Sequence, residues 1–70
     1  PVPFQEQLFV RSPRLGCTVQ IYDSRGVQVD DGVLEDNVVS FDLSHIATGT
    51  YFVVLRCADG SVKVFRVFKT

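Results

Sequence analysis

Tryptophan and methionine are absent, and alanine occurs only at Ala47 and Ala58. With good helix formers this scarce, a substantial helix is not expected. His45 is the sole histidine, and neither Cys17 nor Cys57 belongs to a CxxC pair. Zinc and thioredoxin chemistry therefore lack their ligands. Asp42, Ser44 and His45 lie too close together in sequence to build a catalytic triad, whose members need separate supports. A Gly-rich phosphate loop, a GxSxG elbow, an HExxH motif and a pair of catalytic carboxylates are all missing. These absences argue against an enzyme and imply no metal or cofactor. They leave a binding, targeting or spacer module. No apolar run approaches the roughly 18 residues that cross a bilayer, so direct membrane insertion is not expected. A formal net charge of −1 argues against a nucleic-acid binder that works by neutralising phosphates. No charged-then-apolar leader opens the chain, and a start at Pro1 reads as a piece of a longer protein.

What is present is β-branched and aromatic. Valine occurs 13 times and phenylalanine 6 times in 70 residues. Such side chains fit a pleated, half-buried surface. The length corresponds to one domain, residues 1–70, with room for one core and little more. Gln7 to Arg11 reads as a short strand ended by Ser12-Pro13. Cys17, Val19 and Ile21 alternate with Thr18, Gln20 and Tyr22, the period of a half-buried strand. Asp23-Ser24-Arg25-Gly26 is a hairpin loop, with Gly26 suited to the left-handed position after a type I turn. Val27 and Val29 resume the alternation. Asp30-Asp31-Gly32 and Glu35-Asp36-Asn37 read as polar turns. Val39, Phe41 and Leu43 form the next inward set. Ser44 to Thr50 is a connection, from which Ile46 plugs the core. Tyr51 to Cys57 is apolar on both faces, so it is expected to be central or to have one face covered by something else. Asp59-Gly60 reads as a two-residue hairpin turn, and Val62 to Lys69 is the last strand. The pattern predicts an all-β, immunoglobulin-like sandwich of six to seven short antiparallel strands. An open barrel is the rival.

Cys17 opens one strand and Cys57 closes another, both on the inward parity. If those strands are antiparallel neighbours in an oxidising compartment, a disulfide can form. Two separate small buried residues are the other reading. Asp30, Asp31, Glu35 and Asp36 crowd mid-chain, but their spacing matches no calcium loop, and solvated turns suffice. Arg56, Lys63, Arg66 and Lys69 gather in the last two strands. They guard an edge against aggregation, or they form a face for an acidic partner.

Three stretches in order carry a resemblance: "PVPFQEQLFV", "TVQIYDSRGVQV" and "VVSFDLSHIATGTYFVVLRCADGSVKVFRVFKT". Together they resemble the type A C-terminal sorting domain of the type IX secretion system of Bacteroidetes. Pro1-Val2-Pro3-Phe4 matches that family's opening turn, with Val2 where asparagine is common. Ile21-Tyr22-Asp23 with Gly26 matches its middle motif. Asp42-Leu43-Ser44 with Gly49, Tyr51 and Phe52 matches its third, and Lys69 falls in its basic tail. Read from the residues alone, Asp23, Gly26, Gly49 and Tyr51 have structural duties: turn acceptor, positive φ, a sharp swing, and a large inward ring with a hydroxyl to satisfy. The resemblance implies that the fold itself is the signal. It implies a non-enzymatic domain that sends a folded cargo through the outer-membrane translocon, with a shuttle protein and a sortase as partners. The cargo passes through the periplasm to the cell surface or medium. Lys63, Arg66, Lys69 and Thr70 are the expected recognition residues, with Arg66 and Lys69 as exposed contacts on an accessible last strand. That same strand allows a homodimer. Rival readings are a retained module of the export machinery, an adhesive or carbohydrate-binding sandwich, and a passive spacer.

Overall fold

The computed structural model describes residues 2–4 by their backbone and residues 6–13 and 16–70 in full. Seven strands run in chain order: β1 (Val2–Phe4), β2 (Gln7–Arg11), β3 (Thr18–Asp23), β4 (Gln28–Val33), β5 (Val38–Asp42), β6 (Gly49–Arg56) and β7 (Val62–Lys69). They form a five-stranded sheet ordered β1-β7-β6-β3-β4 and a two-stranded sheet of β2 and β5. The fold is thus an all-β sandwich. One pairing departs from the antiparallel expectation, because β1 runs parallel to β7, with Val2 opposite Val67. Pro1 of the opening motif lies outside the described residues.

The small sheet covers one face of the large one. Val19, Ile21, Leu43 and Val53 are fully buried between the two, with Leu8, Val10, Phe41, Tyr51, Leu55 and Val67 around them. Each such side chain contributes about 1.5–3 kcal/mol through burial. Strict alternation explains the set. On β6, Tyr51, Val53 and Leu55 point inward, while Phe52 and Val54 lie half-buried on the outer face. On β3, Val19 and Ile21 do the same.

Asp30, Asp31 and Gly32 are not a turn. They belong to β4, the outermost strand on its side, where one flank of the backbone meets solvent and polar residues are tolerated. Gly32 has a packing reason. A Cβ there would stand 3.2 Å from the ring of Phe41 and 3.3 Å from Val39 Cγ2, so β5 crosses directly over it. A register shift between Ile21 and Tyr22 moves the start of β4 to Gln28. Val27 is consequently exposed rather than inward, and Val29 only half-buried.

Asp59-Gly60 also differs from its sequence reading. Gly60 N–H donates to Cys57 O and Cys57 N–H to Ser61 O, and only Gly60 of the pair has positive φ, 88°. Ala58 and Asp59 are therefore the central residues of a type I turn, followed by a glycine bulge. The Asp23–Val27 hairpin uses the same device with Gly26 at φ 85°. The genuine two-residue turn is Asp36-Asn37, at φ 51° and 65°, with Glu35 and Val38 exchanging both backbone hydrogen bonds. Asp and Asn tolerate this left-handed pair better than most residues.

Cys17 and Cys57 face each other across the β3–β6 ladder and are joined, with Cα atoms 3.9 Å apart. The bridge lies within one sheet. It differs in this from the inter-sheet bridge of antibody domains.

Candidate functional site

The residues of the third motif converge on one loop, Ser44 to Thr48, which leads into β6. Asp42 accepts a hydrogen bond from Ser44 N–H at 3.1 Å, and Ile46 N–H closes a turn on Leu43 O. Gly49 then enters β6 at φ 151°, a conformation side chains disfavour. Tyr51 is buried, and its hydroxyl donates back to Ala47 O at 2.6 Å. A tyrosine that bonds upstream backbone from the start of a strand fixes a sandwich corner. His45 is exposed on the same loop.

Lys69 completes the loop and corrects the sequence expectation. It is not an exposed contact. Its residue is 7 % exposed, and Nζ donates to Ser44 O at 3.1 Å and Ile46 O at 2.6 Å. Lys69 stands opposite Gly49 on β7, so its side chain takes the inward parity and reaches the loop carbonyls from beneath. The basic tail is in this respect an internal strut. The backbone and side chain of Ser44, then the charges of His45 and Lys69, hold the Asp42 carboxyl below its ordinary range.

The middle motif is equally local. The Asp23 carboxylate accepts from Arg25 N–H at 2.9 Å, from Val27 N–H at 3.0 Å and from the Arg25 guanidinium at 2.9 and 3.2 Å. The guanidinium bonds foremost, then the Val27 amide, lower its pKa.

β7 is an edge over part of its length only. On the flank away from β6, β1 covers Val67–Lys69, while Val62–Arg66 meets no strand among the described residues. Ladder parity decides what this open edge offers. Because Cys57 N–H donates to Ser61 O, Lys63, Phe65, Val67 and Lys69 aim their backbone groups at β6. Val62, Val64 and Arg66 aim theirs outward. Lys63 and Arg66 are exposed, as is Thr70.

The inner face of the same segment carries a feature that sequence reading missed. Phe65 points inward by parity yet stays 44 % exposed. β2 stops short of covering it and leaves an apolar hollow of about 200 Å³, lined by Leu8, Val10, Val53, Phe65 and Val67 with Phe9 and Arg11 from the β2 edge. That is smaller than the ~300 Å³ at which small-molecule sites begin. A two-residue hairpin at Asp59-Gly60 would set Phe65 opposite Val54, on the outer face; the glycine bulge sets it opposite Val53, on the core side.

Basic and acidic side chains gather on different strands. Arg11, Arg56, Lys63 and Arg66 lie on β2, β6 and β7, and none forms an ion pair among the described residues. Asp30 and Asp31 lie on β4, with Glu35 and Asp36 in the following turn. Among the described residues no three His, Cys, Asp or Glu side chains meet in a group that could hold a metal.

Comparison with curated proteins and with solved structures gives no match. Comparison with family models gives one that spans nearly the whole chain: the secretion system C-terminal sorting domain, over residues 1–68. The match takes in every strand of the sandwich except the last residue of β7, and all three motifs described above. The chain belongs to the type IX secretion sorting domains, a family of export signals and not of enzymes.

Proposed function

We propose that this chain is a non-enzymatic export signal read as a folded object. It directs a folded cargo from the periplasm through the type IX translocon to the cell surface or medium. An outer-membrane shuttle protein and a sortase are the partners that read it. The observation that carries the proposal is the family match over residues 1–68. The use of the motif residues supports it. Asp23, Gly26, Gly49, Tyr51 and Lys69 all serve turns and a loop, so the motifs preserve a shape rather than a reaction centre. Lys63, Arg66 and Thr70 are the exposed residues near the end of the chain on which recognition falls, and Lys69 positions them from within.

The test is a fluorescent reporter bearing a periplasmic signal peptide, a short linker and this chain. It is expressed in a type IX-competent bacterium and in a strain lacking the translocon. Surface delivery in the competent strain alone is the expected result. Loss of the 70 residues from the delivered product would add cutting by the sortase. A reporter that stays in the periplasm of both strains while folded refutes the reading.

A further inference from the structure

Among the described residues, two strand edges without a neighbour lie on the same flank of the sandwich. β5 crosses over β4 at Gly32, and β2, which pairs with β5 alone among the described strands, lies over β6 and β7. The free edge of β2 therefore looks toward the β7 flank. Leu43 N–H donates to Glu6 O and Ser12 N–H to Asn37 O, so the even-numbered residues of β2 face β5. Gln7, Phe9 and Arg11 aim their backbone groups outward. On the other sheet, Val62 and Val64 do the same, and both are more than half exposed. Between the two edges sits the hollow of about 200 Å³ floored by Phe65 and Val67.

We propose that the open edge of β7, Val62–Arg66, takes up an extended acidic segment of a partner protein as an added strand, with one apolar side chain seated in the hollow beside Phe65. An added strand lies in line with β1 and continues the row that β1 begins. Its side chains alternate. Those on the inner side enter the hollow next to Lys63 and Arg11. Those on the outer side run beside Val64 and Arg66. Backbone pairing supplies the affinity of such an addition, and the pockets for alternate side chains supply its selectivity.

The acidic character follows from charge. Among the described residues lining the hollow, Arg11 is the charged one. Lys63 shares the inner face with the hollow, and Arg66 and Arg56 flank the same edge on the outer face, while Asp30, Asp31, Glu35 and Asp36 lie on and beyond the opposite edge strand. The nearby Asp59 carboxylate is turned onto its own loop, where it accepts from Ser61 N–H at 2.9 Å. A second copy fits this edge less well, since two copies of β7 set like charges against each other. A five-residue edge is also short. It suits the low end of interface sizes, where contacts are reversible, as a passing signal requires.

The partner's role as export machinery rests on the sorting reading; the contact does not. The experiment uses the whole chain and a ten-residue fluorescein-labelled peptide in which glutamate alternates with valine around one phenylalanine. A control peptide carries lysine in place of glutamate. Expected is saturable binding of the acidic peptide, with amide shifts at Val62, Val64 and Arg66 in NMR spectra. K63E/R66E should weaken it at least tenfold and favour the lysine peptide. Val64→Pro removes an outward N–H, a substitution an edge strand tolerates, and should also cost at least tenfold. If Val64→Pro does not fold, the charge-reversed pair decides. No binding, equal binding by the folded variants, shifts centred on β4 or on the outer face, or a dimer through β7 each overturn the proposal. Failure of the wild-type reporter to reach the surface counts against the sorting reading alone. Normal export of a reporter carrying folded Val64→Pro or K63E/R66E counts against this edge as the recognition contact.

Discussion

Replacing Lys69 by methionine keeps the aliphatic stem and removes the ammonium. Two hydrogen bonds disappear, to Ser44 O and Ile46 O. Bonds from a charged donor contribute about 1.5–3 kcal/mol each. The ammonium also regains hydration in the unfolded chain, which offsets part of that sum. A net loss of about 2 kcal/mol follows. For 70 residues the whole stability is roughly 4–10 kcal/mol, so the strut holds a sizeable share. At about 4–8 °C per kcal/mol for a domain of this size, Lys69→Met should melt about 8–16 °C below the parent chain. Circular dichroism on heating measures it. Lys63→Met and Arg66→Met, exposed on the same strand, should stay within about 0.5 kcal/mol of the parent. A Lys69→Met domain melting within about 2 °C of the parent, or one no less stable than the two controls, refutes the strut. The result also governs how truncations are read. Removing residues 69 and 70 strips the loop of its anchor, so lost export would report unfolding before it reported lost recognition.

Three further perturbations test other parts of the fold. Tyr51→Phe deletes the bond to Ala47 O and should cost about 1 kcal/mol, read as a melting shift of about 4–8 °C; no shift would show that the corner does not depend on the hydroxyl. Reducing the Cys17–Cys57 bridge releases a closure of 40 residues, worth about 4 kcal/mol by loop entropy. Melting should then fall by at least about 15 °C, and an unchanged curve under reductant would contradict the bridge. Asp23 and Asp42 have pKa values lowered from 3.8, so their contribution is full above that value and is lost as pH falls through the lower folded values. Melting points should hold at pH 6 and decline below about pH 4. Asp23→Asn with Asp42→Asn should flatten that decline, and an unaltered acid limb would assign it to other groups.

Period-two alternation located β3, β6 and the core because both strands pair on both sides and one face is sealed. Val19, Ile21, Tyr51, Val53 and Leu55 are therefore inward in sequence and in space. Alternation misled at β4, whose acids look like a turn. An edge strand with one wet flank has no need of apolar residues, and the decisive residue, Gly32, is explained only by the Phe41 ring above it. Lys69 misled for a related reason. A charged residue near the end of a strand reads as surface, and nothing local reveals two carbonyls 23 and 25 residues earlier waiting for a donor. The hollow beside Phe65 was beyond reach because it depends on how far β2 extends over β7, a relation between sheets that no local pattern encodes.

The pairing of β1 with β7 has a kinetic meaning. Val2 meets Val67, so the first strand finds its neighbour only across nearly the full length of the chain. Pairings this distant raise contact order and slow folding, toward the millisecond-to-second range of sandwich domains. The domain also cannot close in instalments as it emerges from the ribosome. Until the residues of β7 have been synthesised, β1 has no ladder, β6 lacks one flank and the Ser44–Thr48 loop lacks its lysine. A chain broken off before Val67 can display most of the motifs but not the assembled object. A receptor that reads the closed sandwich would thereby accept only finished domains.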